Sequence, residues 1–537
     1  MSLTERQQAA SSAQTVLDRM IGWLSPRAGL TRLHDRMALD ASTGQGGYKG
    51  GRRDRRPTRN WRLKETSADA DILPDLPDLR ARARDLARNA PIAAGAIATG
   101  VTNVVGDGLQ LQAQIDHQAL GISEEQADAM EREQEREWQL FCRTADFTRV
   151  QSFDELQALV YRATQESGDI AVIRRFRKDA GDVYGLKLQL LEADRISNPN
   201  RAADNDTIAG GIETANGVPV RLHFSDKHPG GIRVGALNWQ SVPFRSSAGV
   251  PIVLHLYDRL RPEQTRGIPY LAPVIEHMKQ LSDYSDAEVT AAVISAMFTL
   301  AIETPTDEDG NPPIGEKDSS LNDNEVKLGN GAVISLAPGE KANAISPARP
   351  NAQFDPFVQA FLRQIGVALE LPFELLIKHF TASYSASRAA LEMAWQFFRR
   401  RRSWLAWRFN QVVYEWFMEE AVASGRLNRP GFFEDPILRQ AWLGSEWNGW
   451  ARPSIQPKME AEADEIDLRN GVTTREEICI RRTGGEFEKK AAQLRKEREL
   501  MPEQQAAQPA AASASAADDA SSDDDTEDET DNRRASA

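Results

Sequence analysis

The sequence predicts an α+β fold in which a β-rich module interrupts an otherwise helical chain. Three observations lead there. Apolar residues recur at helical spacing over 79–168, the period shortens to strand alternation over 169–258, and helical spacing returns from 269 to about 501, broken by a Pro/Gly/Asp/Asn-rich insert at 304–350. With 537 residues the chain has ample apolar content for a large core.

Residues 1–78 are mostly polar, with a short helix expected around Gln8–Trp23 and a Gly/Arg-rich arm after Ser42. Lys49 to Lys64 carries eight basic residues against one Asp. The arginine run Arg80, Arg82, Arg84 and Arg88 leads to Asn89-Ala-Pro, where Pro91 suits a first helical turn. An Ala/Ile/Val helix follows, and Gly106-Asp-Gly108 closes it. A charge-dense helix is expected over Ile122–Arg143, and another over Phe153–Ser167 with Ser152 as its N-cap. Asn216-Gly217 between two apolar runs predicts a hairpin turn inside the β-rich module.

A long helix is expected from Pro269 to about Glu303, with an apolar stripe from Leu271 through Val274, Met278, Leu281, Val289 and Val293 to Leu300. At 1.5 Å per residue it would reach about 50 Å. Helical spacing resumes at Phe354–Leu371 and Phe373–Phe380. After a polar break at Thr381–Ser387, where Ser387 can cap, an aromatic helix is expected from Arg388 to about Val422. A Trp/Pro/Phe-rich stretch (429–453) precedes helices at Lys458–Asn470 and Arg475–Ile480 and a last charged helix ending at Met501.

Charge is placed unevenly. The net value is −14, and residues 502–537 alone contribute ten acids and two arginines, a net −8 and a composition suited to disorder. A simple nucleic-acid-coating protein is thereby disfavoured. Only Cys142 and Cys479 occur, too few for a disulfide framework or a zinc site. The first thirty residues do not read as a signal peptide, and the apolar runs Val289–Ile302 and Ala90–Val105 fall short of the ~20 residues that span a bilayer.

Chemistry finds little support. Gly310-Asn-Pro-Pro-Ile-Gly315-Glu-Lys317 is a near miss to a phosphate-binding loop, but Glu316 intrudes, two prolines remove amide donors and no strand precedes it. The seven histidines form no metal-ligand spacing, and there is no nucleophile elbow. No catalytic residue, metal or cofactor is expected. Arg399 to Arg402 form a denser signal. The apolar stripe Leu391, Trp395, Phe398, Leu405, Phe409, Val412, Trp416 skips one place, at Arg402 (or Arg401). A guanidinium there needs a carboxylate between subunits or domains, a DNA phosphate, or a route to solvent along its stem. On the long helix, Glu276, Gln280, Asp283 and Asp286 make an acidic face, either solvated or repelling a passing duplex.

In their order, R-x-R-x-R-D-L-x-R-N-x-P followed by N-V-V-G-x-G (79–111), then LELPFELL with SYSASRAALEMAWQFFRR, then IQPKMEAEA…RNGVTTREE (455–477) resemble the portal proteins of lambda-like tailed bacteriophages. Gln456 stands where the family carries an acidic residue, and Gly484-Gly485-Glu486 where it carries Gly-x-Asp. The resemblance implies a ring, typically a dodecamer, with these parts: an arm (1–78), a wing (79–268) holding the β-rich module, a stem helix (269–303), a clip insert (304–350), a second stem helix (351–378), a tunnel loop (379–387), a tunnel helix (388–424), a C-terminal wing and crown (425–501), and a disordered tail (502–537). It implies a tunnel loop built of His379, Thr381, Ser383, Tyr384 and Ser385. Glu276, Asp283 and Asp286 would face the channel, and Arg399, Arg400, Arg401 and Arg402 would touch DNA or a neighbouring subunit. The implied partners are double-stranded DNA, the terminase large subunit, the major capsid protein and a head–tail connector, in a virion assembled in the host cytoplasm, with no membrane. Two other readings remain open: a DNA-processing enzyme holding substrate with its basic arm, or a monomeric head-assembly adaptor.

Overall fold

The computed structural model describes residues 63–232, 235–297, 301–303, 341–343, 353–380, 383–452, 454 and 456–500, with scattered residues between 20 and 61. It is a mixed helix-and-strand fold. The helix expected at Gln8–Trp23, most of the basic arm, the body of the 304–350 insert and the acidic tail lie outside the described residues.

Among the longer described helices, α1 (Leu76–Asn89), α2 (Pro91–Val104), α3 (Glu124–Cys142) and α4 (Phe153–Ser167) come first. Pro91 starts α2, where its missing N–H costs nothing. Ser123 and Ser152 each form a capping box, with Gln126 and Glu155 respectively. The strands expected over 169–258 are present. β2 (Asp169–Phe176) lies between β3 (Leu186–Glu192) and β8 (Val253–Tyr257), all antiparallel. A second sheet runs β4 (Ile208–Ala209), β5 (Ile212–Ala215), β6 (Val218–Ser225), β7 (Trp239–Pro243). Asn216 and Gly217 form the β5–β6 turn with φ of 52° and 75°, the doubly positive pair that a two-residue hairpin requires.

The long stem helix is shorter than expected. After a 3-10 turn at Ala272–Val274, α5 covers Ile275–Met297, about 35 Å. β9 (Ala301–Glu303), just before the insert, pairs antiparallel with β10 (Lys341–Asn343) near its end, which closes the intervening segment at one point after α5. The expected second stem helix is also broken. α6 (Phe354–Ala368) ends where Glu370 takes φ 54° and Pro372 blocks continuation, and only one further turn, Phe373–Leu376, follows. The aromatic helix begins four residues earlier than expected: α7 covers Tyr384–Leu405, so Ser387 lies inside it and Ser383 takes the cap position without a side-chain bond. A π turn at Ala406–Asn410 joins α7 to α8 (Gln411–Ala423). α9 (Pro457–Arg469), α10 (Arg475–Thr483) and α11 (Phe487–Leu500) close the described chain. Thr474 and Glu477 give α10 a capping box, whereas Gln456 gives α9 no side-chain bond.

One core runs from Ala83 on α1 to Leu443, gathering α1 to α8 and β2–β3. Trp138 is its aromatic centre, edge-on to Phe153, Tyr414, Phe417 and Trp447. The opposite face of β2–β3 meets β5–β6 in a smaller core around Ile173, Leu191, Leu222 and Phe224. A strand pair missed in the sequence, β1 (Gln110–Ala113) with β11 (Ser445–Asn448), ties the segment after α2 to the C-terminal part.

Candidate functional site

The four arginines on α7 divide into two pairs. Arg399 and Arg400 are exposed. Arg401 bonds Asp258 at 2.5 Å and lies over the Phe397 ring, and this carboxylate outweighs burial to hold its pKa above the usual value. Arg402 fills the gap in the apolar stripe, but its partner is not a carboxylate. Its guanidinium donates to the carbonyls of Asn103 (2.9 Å), Val104 (3.1 Å) and Trp450 (3.0 Å) and stacks on Trp395. It therefore caps the C-terminal end of α2, where orphan carbonyls and the negative dipole end meet. Burial and nearby Arg399 lower its pKa to about 10. The expected carboxylate for Arg402 is thus replaced by backbone, and Arg401 and Arg402 are both committed within their own chain.

That junction explains the glycine turn after α2. Gly106 (φ 61°) lies against the Trp450 ring, where a Cβ would come within 2.8 Å, and Gly108 (φ 107°) lies 2.4 Å short of Asp154 Oδ1 in the same sense. Leu109, next in line, is held on both backbone groups by the Gln157 side chain, which also accepts from Asn410 in the π turn.

The expected loop residues are surface groups. His379, Ser383, Tyr384 and Ser385 are exposed, with Tyr384 and Ser385 in the first turn of α7, while Thr381 lies outside the described residues. Glu276, Asp283 and Asp286 are also exposed, on the outer face of α5, where Asp283 pairs with Lys279. Loop and exposed arginines share one helix but stand about 22 Å apart along it. These residues do not converge on one pocket. They are spread along α5, α7 and the loop before α7.

The stripe on α5 changes character halfway. Leu271, Val274, Met278 and Leu281 are buried, whereas Val289 and Val293 are 63% and 48% exposed. The distal half presents apolar surface that this chain's described residues do not cover.

A buried charge cluster went unnoticed in the sequence. Asp169, at the head of β2, accepts from Arg80 (2.7 Å), Arg266 (2.5 Å) and His255 (3.0 Å). Arg266 also donates to the carbonyls of Ala193, Ile196 and Gly210. Burial alone would raise the Asp169 pKa, but the two guanidiniums hold it well below the carboxylate range. The first arginine of the R-x-R-x-R run is therefore structural, and so is the third: Arg84 pairs with Asp194 and Glu192. His228 approaches the same two acids, but Arg84 already supplies the positive charge there. Buried His223 bonds the partly exposed Glu213 at 3.0 Å, an ordinary structural pair. Both cysteines are free. No described helix is long and apolar enough to cross a membrane.

Three relatives align over most of the chain. The portal protein of Escherichia phage N15 is 27% identical over 84% of this chain and 88% of its own, and portal protein B of Escherichia phage lambda is 27% identical over 81% and 86%. A probable portal protein of Halomonas phage phiHAP-1 is 24% identical over 76% of this chain and 78% of its own. Among solved structures, the neck of a native gene transfer agent particle computed with C12 symmetry aligns over 74% of this chain and 92% of its own, at 13% identity and a TM-score of 0.44, too distant to carry weight. The family profile described as phage portal protein, lambda family, matches residues 54–402, well over half the chain, and the protein belongs to that family.

Proposed function

We propose that this chain forms the closed ring of a phage portal vertex, most simply a dodecamer, whose axial channel passes DNA during packaging and ejection. Family membership supports the portal role. The observation that carries the ring is the apolar distal half of α5, whose exposed Val289 and Val293 need a neighbouring copy. A heterologous contact of this kind, repeated, closes a ring when the rotation divides the circle. The exposed acids Glu276, Asp283 and Asp286 then suit a channel wall that repels phosphate weakly enough for sliding, and Arg399 and Arg400 are the free cations of α7 that reach DNA or a neighbour. The polar segment 379–385 is the tunnel loop. The insert closed by β9–β10 serves as the clip toward the terminase large subunit and, later, a head–tail connector, while the wing faces the major capsid protein in the virion. The terminase supplies the work; this chain is a conduit and not an enzyme.

The test is native mass spectrometry or negative-stain imaging of the pure protein, with a ring expected and monomers or dimers at micromolar concentration overturning the reading. Replacing Thr381–Ser385 with a shorter Gly/Ser link should leave the ring intact and lower the yield of packaged DNA. Normal packaging by that variant would remove the loop assignment.

A further inference from the structure

β8 is an edge strand, paired with β2 on one side only. The bond from Arg174 N–H to the Ile252 carbonyl fixes the register, so the backbone groups of His255 and Tyr257 point away from β2. Among the described residues they meet no backbone partner. All five residues of β8 line an open groove of about 840 Å³, so the groove follows the strand's edge and not one face. Its walls include Phe244, Trp404 and Trp407, and Trp407, thrown outward by the π turn, is 67% exposed. Unpaired backbone beside apolar walls is the geometry that accepts an added strand.

The chain holds a segment of matching pattern. Asn60-Trp61-Arg62-Leu63-Lys64 alternates apolar and basic residues, and Trp61 and Leu63 are 72% and 77% exposed. The chain runs on from it to Ser67 and Asp69, which line the groove. Folding back into its own groove would require a reversal within Lys64–Thr66, where no Gly, Pro, Asn or Asp is available. Thr66 is moreover held by its carbonyl to Arg261. An extended run of six residues reaches about 20 Å outward instead.

We infer that Trp61–Lys64 of one copy adds as a strand to the β8 edge of the next, with Trp61 and Leu63 entering the groove between Phe244 and Trp407. This rests on the ring reading, since a neighbour must be present. Each contact adds one strand to a sheet in the adjacent wing, so the ring is laced as well as packed.

The test uses two surface positions, Leu63→Cys and Val218→Cys, the latter on the groove and 60% exposed. Chains bearing one change each are co-assembled and mildly oxidised. A covalent two-chain product is expected, and the doubly changed chain should give a ladder of multi-chain products. A ring with no interchain bond overturns the lacing and leaves the ring reading standing, as does a doubly changed chain that forms only an intrachain bond. A chain that stays monomeric overturns both. Independently, Trp61→Ala should raise the concentration at which rings dissociate by at least about tenfold without changing the protomer's melting temperature. An unchanged dissociation midpoint would overturn the assignment of Trp61 to the groove.

Discussion

Asp169 shows how one carboxylate organises a junction. It is fully buried, yet two guanidiniums and an imidazole converge on it from α1, β8 and the loop before the stem. Removing a charge from such a set leaves the others unpaired, and breaking a buried pair costs on the order of 3–5 kcal/mol. Asp169→Asn should therefore lower the melting temperature sharply, and a variant that melts like the parent would show that Arg80 and Arg266 find other acceptors. His255 adds a pH dependence. Burial lowers its pKa below 6.5, with Asp169 opposing and Arg266 and Arg80 reinforcing the shift. The unfolded chain then takes up the proton first, so this contribution to stability holds at neutral pH and is lost as pH falls below about 6.5. His255→Gln keeps a donor for Asp169 and should flatten the melting temperature between pH 7 and 5.5; an equally steep profile would place the titration elsewhere. Arg402→Ala acts differently from Arg399→Ala. The first strips two carbonyls at the end of α2 and that of Trp450 of their donor and should destabilise the protomer by about 2 kcal/mol, whereas the second touches only the surface. Parental stability of Arg402→Ala would contradict the capping role.

Elements divide into those whose local rules decide them and those decided by distant partners. Exposed Val289 and Val293 on α5 belong to the second kind under the proposed ring, since the described residues of the protomer leave them uncovered. Val289→Asp with Val293→Asp should leave circular dichroism and melting of the protomer unchanged and abolish the ring. A ring surviving both changes would move the interface elsewhere. The Ser152 cap, the Asn216-Gly217 turn, the strand module and the start of α2 were legible because each is fixed by residues a few positions apart. Pro372 was equally visible, and apolar periodicity splits there into Phe354–Leu371 and Phe373–Phe380, whereas the resemblance implied one stem helix over 351–378; the proline and the left-handed Glu370 decide for the break. The π turn carried no signal, since it is stabilised by Asn410 reaching Gln157, 253 positions away. For the same reason the β1–β11 pair was missed, and so was the convergence of Arg80 and Arg266 on Asp169. Arg402 was half legible: its place on the apolar stripe demanded a partner, but spacing could not tell a carboxylate from the carbonyls of a helix end.

At the scale of the molecule, the charge is segregated along the chain, and that bears on how copies associate. The stretch Lys49–Lys64 is strongly basic, and residues 502–537 carry a net −8, more than half of the total −14. Twelve copies would bring about a hundred tail charges to one assembly, a self-repulsion that salt screens within ~10 Å at 0.1 M. The continuous core begins at Ala83 and ends at Leu443, and the family profile ends at 402, so the elements proposed to meet a neighbour lie well before the tail. Its Ala/Ser/Asp/Glu composition offers too little apolar surface to offset the entropy of ordering it. A chain ending at Met501 should accordingly form the same ring, and at low salt it should assemble at lower protein concentration than the full chain because the repulsion is gone. Sedimentation of both chains across a salt series reads this directly. A shortened chain that melts normally yet fails to assemble would show that the acidic tail holds a neighbour, most plainly the neighbour's basic arm.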